Sequence, residues 1–253
     1  MSTLEKRVTV ATTMAPGGDL QNQRKAINSW LRAGFEVISV NAPEEIELLK
    51  ATVPEATFYP AETDGRDRFG KPYIFLHTIL QALAKSEAEI CGIVNSDIHL
   101  VHKGILELIK CEAQESFLFG SRVDVNSLED IDGGLMYRGG FDYFFFNRDV
   151  LSIYPDEEFC LGLPWWDYWI VLVPIVKGIP VKRVESPTVC HLAHPIRFPV
   201  KEWYDLGFTM NKYFTPAFDL TQEAMPNYLG MMLNMIYTHS TEIVVTKESQ
   251  RNC

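Results

Sequence analysis

The sequence predicts an α/β protein, a single domain with a mostly parallel central sheet and helices on both faces. Three observations predict it. The first half alternates β-branched runs with amphipathic runs, the order of a parallel sheet built from crossover units. The 253 residues are 47% apolar and 22% charged, enough to build a sizeable core. No internal repeat, low-complexity tract or clean linker divides the chain.

RVTVATTM (7–14) is a β-branched strand. In GGDLQNQRKAINSWLRAG, Leu20, Ala26, Ile27, Trp30 and Leu31 fall near helical spacing, and Gly34 is a stop. FEVISVNA (35–42) is a second strand. PEEIELLKA opens with Pro43 and acidic residues, as a helix N-terminus should. ATFYPA is a short third strand, and ETDGRDRFGKP is a polar loop. A helix over 72–86, a strand over 89–97, a helix in HKGILELIKCEAQ and a strand in SFLFGSRVDV complete the alternation. The second half is more aromatic. Residues 139–151 form a strand leading into a helix, and 163–180 a helix ending at Gly178. VKRVESPTVCHLAHP gives two short strands and an exposed loop. Residues 221–237 are helical, with Pro226 a break or a start. The last dozen residues have the polar composition of a disordered tail.

The formal charge of −10 excludes the basic face a nucleic-acid binder needs. It leaves room for a local cationic cluster and a small anionic ligand. The five cysteines are odd in number and form no CxxC pair. They read as buried thiols of a reducing compartment. The first residues lack the apolar core of a signal peptide, and YWIVLVPIV (168–176) is too short to span a bilayer. A cytoplasmic location is the expectation, and nothing requires a membrane surface.

Ligands of open parallel α/β sheets bind beyond the carboxyl ends of the strands. The polar residues there are Thr12, Thr13, Asn41, Asn95, Ser96, Asp97, Arg122 and Asp124. Asp97, in GIVNSDIHLV, either holds a hard cation through its oxygens or caps an Asx turn. Arg66, Arg68 and Lys71 either face phosphate ahead of a helix or pair with Asp64 and Asp67 in a solvated loop. Asp142 sits among aromatics in GGFDYFFF; it either faces a cleft or points outward from a half-buried strand. Asp167 lies between Trp166 and Tyr168, surroundings that raise a carboxyl toward a useful base, or it is an N-cap. His191 and His194 could complete a metal site with Asp97, or be ordinary hydrogen-bonded residues.

In order, a strand ending in Thr, a strand ending in N-S-D, a G-G-F-D strand, a W-W-D helix start and a late histidine pair resemble the glycosyltransferases of GT-A fold. N-S-D at 95–97 resembles their DXD motif, and WWDYW resembles a pattern of bacterial nucleotide-diphospho-sugar transferases. The likeness runs from about residue 7 to 195. It implies a nucleoside diphosphate sugar donor, a divalent cation (Mn²⁺ or Mg²⁺) and transfer of a hexosyl group to a carbohydrate or other hydroxyl acceptor. A nucleotide-binding half (7–125) and an acceptor-binding half (126–240) follow. Thr12 and Thr13 would line the nucleotide pocket, with Asn41 near the base and Arg66, Lys71, Ser96 and Arg122 also on the donor side. Asp97 with His191 or His194 would hold the metal. Asp142 would contact sugar, and Asp167 would match the general base. Asn95 departs from the pattern, being neutral where the first Asp often stands. Two rivals remain. A sugar nucleotidyltransferase would want a basic glycine loop after the first strand, yet the first lysine there is Lys25. A non-catalytic nucleotide- or sugar-binding module would be favoured by Asn95.

Overall fold

The computed structural model describes residues 6–194 and 199–245. The chain runs β1 (Val8–Thr12), α1 (Leu20–Ala33), β2 (Glu36–Asn41), α2 (Ile46–Thr52), β3 (Thr57–Pro60), α3 (Arg66–Phe69), α4 (Leu76–Lys85) and β4 (Ile90–Val94). It continues through β5 (Ile98–Leu100), α5 (Ile105–Glu112), β6 (Phe117–Gly120), β7 (Val123–Val125), β8 (Leu135–Met136) and β9 (Tyr143–Asn147). It ends with α6 (Trp166–Val176), β10 (Val181–Val184), β11 (Val189–Leu192), α7 (Val200–Phe214), α8 (Met225–Thr238) and β12 (Thr241–Ile243). The expected polar tail lies mostly outside the described residues. No described helix is long and apolar enough to cross a membrane.

Eight strands form the main sheet in the order β12-β10-β6-β9-β4-β1-β2-β3. Among them β9 runs antiparallel to both neighbours, β4 and β6, and the other pairings are parallel. One core lies on the face covered by α4, α6, α7 and α8, and a second lies under α1, α2 and α5. Helices therefore cover both faces, as the alternation requires. The chain winds outward from β1 to β3 and then returns to β4 on the other side of β1. In open α/β sheets ligands bind at such a reversal, beyond the carboxyl ends of strands like β1 and β4. The N-S-D tripeptide follows β4 directly.

Local chemistry sets the boundaries. Asp19 caps α1 by accepting from the Asn22 N–H at 3.0 Å, and Gly34 closes it in a left-handed turn, φ 95°. Trp30 is fully buried, and its indole N–H donates to the Ile98 carbonyl at 2.7 Å. α6 is apolar all round and contains Pro174, which cannot donate to the Ile170 carbonyl. The Tyr154 hydroxyl donates to that carbonyl instead, at 2.7 Å.

Several expectations change. The run 116–125 divides into β6 in the main sheet and β7 in a second one, ordered β5-β11-β7-β8. The charged loop contains the short α3, and a 3₁₀ turn, Arg148–Ile153, follows β9 where a helix was expected. α6 begins at Trp166, and its cap is Trp165, so Asp167 lies in the first turn and is not the N-cap. α7 was not foreseen. Its core-facing residues, Trp203, Leu206, Met210, Tyr213 and Phe214, do fall at helical spacing, so the stripe was present in the sequence and was passed over. Pro226 starts α8.

At Gly92 of β4 the partner strand comes close, and a Cβ there would lie 2.4 Å from the Phe145 ring across the β4–β9 pair. Gly92→Ala therefore forces a fully packed aromatic to move. We expect it to cost about 1–3 kcal/mol in denaturant unfolding. An unchanged midpoint would show that the Phe145 ring is free to yield.

Candidate active site

The small second sheet assembles the site. β11 lies between β5 and β7, with His191 in register with Ile98 on one side and Asp124 on the other. Asp97 immediately precedes β5. Residues directly opposite on neighbouring strands share a face. Segments near 97, 124 and 191 thus converge.

Asp97 Oδ2 lies 3.4 Å from His191 Nε2 and 3.6 Å from His194 Nε2. One ligand atom from each of the three falls within 4.8 Å of the others. His191 is buried, Asp97 is half-buried and His194 is exposed, so the group has a closed side and an open side. Burial pushes the Asp97 carboxyl upward, but the two histidines, with Arg122 behind them, overcome it and hold the carboxyl well below its ordinary range. His191 Nδ1 lies 2.9 Å from Asp124 Oδ1.

A second group adjoins the first. The Arg122 guanidinium donates from Nε to Asp124 and from Nη1 to Asp142, each at 2.8 Å. Its plane lies over the Tyr137 ring, 4.3 Å from the centroid. The Asn95 amide donates to the same Asp142 oxygen at 3.0 Å, and the Asn95 backbone N–H donates to the Asp142 carbonyl. Asp142 is 3% exposed and precedes β9, so it faces inward; an outward orientation on the strand is excluded. Burial raises its carboxyl despite Arg122 and Asn95, and Oδ2 has no protein partner. The neutral residue at 95 has a reason here. A second carboxylate in hydrogen-bond range of Asp142 would repel it, whereas an amide donates to it.

Asp167 completes the arrangement. Trp165 adopts a left-handed conformation, φ 75°, which turns the chain sharply before α6. Asp167 then accepts from the Phe141 N–H at 3.1 Å, one residue from Asp142. Burial drives its carboxyl up to about 7; the Phe141 N–H opposes this, and the Asp142 carboxylate adds to it. A Cβ at Gly140 would come 2.9 Å from Asp167 Oδ2 and 3.2 Å from the Tyr137 ring, so the glycine allows these groups to meet.

The remaining expected residues lie around this cluster or away from it. Thr12 is fully buried at the end of β1 with an unpartnered hydroxyl, and Thr13 follows half-buried. Asn41 is buried and committed: its amide donates to the Met14 carbonyl and to Glu45, and it accepts from Ser39. Ser96 donates to Gln23, which also bonds the Ala15 backbone and so ties the loop after β1 to the tripeptide. Arg66 pairs with Asp64 and Glu44, and Arg68 with Glu158. The expected Asp64 pairing is present, Arg68 takes Glu158 where Asp67 was the expected partner, and Lys71 is exposed. Asp124, Tyr137 and Gln23 had no assigned role in the sequence. Asp124 alone was visible there, as a strand-end carboxylate. Two surface depressions, one between β2, β3 and α4 and one on α7, include none of the cluster.

No family model matches the sequence, and no curated protein matches it. Solved structures do share its fold. S. aureus TarS 1–349 in complex with UDP-GlcNAc aligns with a TM-score of 0.52 at 14% identity, over 93% of this chain and 74% of that one. Another S. aureus TarS structure gives 0.53 at 14% identity, over 92% of this chain and 44% of that one. The mannosyltransferase PcManGT from Pyrobaculum calidifontis, in complex with GDP-Man and Mn²⁺, gives 0.52 at 15% identity, over 94% and 74%. With a strand order that reverses beside β1 and helices on both faces, the chain has the GT-A fold of these glycosyltransferases.

Proposed function

We propose that the protein is a metal-dependent glycosyltransferase that moves a hexosyl group from a nucleoside diphosphate sugar to a carbohydrate or other hydroxyl acceptor. The observation that carries this reading is the convergence of Asp97, His191 and His194 just beyond the carboxyl end of β4. That UDP-GlcNAc, and GDP-Man with Mn²⁺, are bound by proteins of the same fold supports it.

The donor set fits a divalent cation. Two imidazole nitrogens and one carboxylate oxygen suit Mn²⁺ better than Mg²⁺, which prefers oxygen throughout. Asp97, His191 and His194 would hold the ion. When bound, it would supply Lewis-acid neutralisation of the departing diphosphate. Segment 7–125 would hold the nucleotide, with Thr12, Thr13 and Ser96 lining its pocket. Segment 126–240 would hold the acceptor. Asn41, committed to the Met14 carbonyl, Glu45 and Ser39, and Arg66, neutralised by acids, keep at most an indirect part in donor binding. Asp142, fixed through one oxygen by Asn95 and Arg122, would accept from a sugar hydroxyl through the other. Asp167 would take the proton of the acceptor hydroxyl as that oxygen attacks the anomeric carbon.

Three outcomes follow from these assignments. Mn²⁺ together with UDP or GDP should raise the melting temperature of the wild type, and Asp97→Asn should abolish the gain. Stabilisation by sugar alone, without metal or nucleotide, would instead support a binding module. Asp167→Asn should keep donor binding and lose about 10²–10⁴-fold in turnover. Wild-type turnover should climb as pH rises through about 7, since the base must be ionised. Normal turnover in the variant would remove Asp167 from the role.

The same carboxyl makes a stability prediction. Its folded-state value lies above that of the unfolded chain, so the native state holds the proton more tightly. Stability from this group is present at low pH and is lost as pH rises through about 7. Asp167→Asn should therefore melt higher than wild type above that pH, with the difference shrinking toward acid. A constant difference across pH would contradict the burial of this carboxyl.

A further inference from the structure

The geometry points to Asp124 as a positioning residue that fixes the ring of His191 so that Nε2 is the nitrogen offered to the cation. This rests on the metal reading of Asp97, His191 and His194. It assigns a task to a residue that touches neither the ion nor substrate.

Three observations support it. Asp124 Oδ1 lies 2.9 Å from His191 Nδ1, while the opposite nitrogen of the same ring faces Asp97. The two residues are register partners on parallel strands, so the backbone itself sets the separation. Asp124 is in turn immobilised by the Arg122 Nε–H at 2.8 Å, and Arg122 is held by Asp142 and the Tyr137 ring. A carboxylate oxygen at Nδ1 can only accept, so Nδ1 keeps its proton when a cation takes the place between Nε2 and Asp97, and Nε2 then presents the lone pair a metal ligand must have. A free imidazole would not keep this tautomer or this ring angle without help.

The test has two arms. Long-range ¹⁵N correlation spectra of the protein loaded with diamagnetic Zn²⁺ should show His191 with its proton on Nδ1 and none on Nε2. Asp124→Ala should lose that preference. In calorimetric titration with Mn²⁺ alone, Asp124→Ala should bind about 10–100-fold more weakly than wild type, and Asp124→Glu should recover part of the loss. The more conservative Asp124→Asn serves if the alanine variant fails to fold; its shape is retained, but its amide can present a donor to Nδ1 and favour the wrong tautomer. A metal-loaded wild type with His191 bound through Nδ1 and protonated on Nε2, or Mn²⁺ affinity unchanged in a folded Asp124 variant, would overturn the assignment. Absence of Mn²⁺ binding by the wild type would instead overturn the metal reading, and this inference with it.

Discussion

One buried guanidinium holds this site together. Arg122 lies between Asp124 and Asp142 and is itself largely enclosed, with Tyr137 over its face. Two carboxylates and a histidine could not collect in so small a space without it, because unpaired buried charge is far costlier than a paired one. The planar fork matters as much as the charge. Nε and Nη1 reach different acids at once, which a lysine could not reproduce. Through Asp124 the fork reaches the histidine beside Asp97, and through Asp142 it reaches Asn95 at the end of β4. The candidate metal ligands and the candidate sugar contact thus share one counterion.

The fold makes this arrangement possible by splitting one extended run. β6 enters the main sheet and β7 leaves it for a smaller sheet, with Ser121 and Arg122 at the change. The Ser121 hydroxyl donates to the Gly140 carbonyl at 2.8 Å, joining the departing strand to the segment that carries Asp142. β9, inserted antiparallel between β4 and β6, delivers Asp142 beside Asn95, and the αL turn at Trp165 brings Asp167 to its neighbour Phe141. Each acidic residue therefore arrives from a different element.

The sheet and its covering helices were legible because their signals are local. β-branched runs, the amphipathic spacing around Ile27 and Trp30, the Gly34 stop and the turn chemistry around Asn95 all operate within a few residues. The candidate acids were legible for the same reason, as polar residues where apolar strands stop. What the sequence could not show is pairing at a distance. Asn95 meets Asp142 across 47 positions, and His191 meets Asp124 across 67. Nothing near Arg66 reveals that Glu44, from the start of another helix, will neutralise it. The short β5, β8 and β12 are too brief to carry a period, whereas α7 did carry one, through Trp203, Leu206, Met210 and Tyr213, and was passed over.

The central claim is that Asp97, His191 and His194 bind one divalent cation. Pulsed electron paramagnetic resonance of the Mn²⁺-loaded protein tests it at the level of atoms. The account predicts nitrogen couplings from two imidazoles, one lost in His191→Ala and the other in His194→Ala. A spectrum in which the ion keeps only oxygen neighbours, unaltered by either substitution, would contradict it.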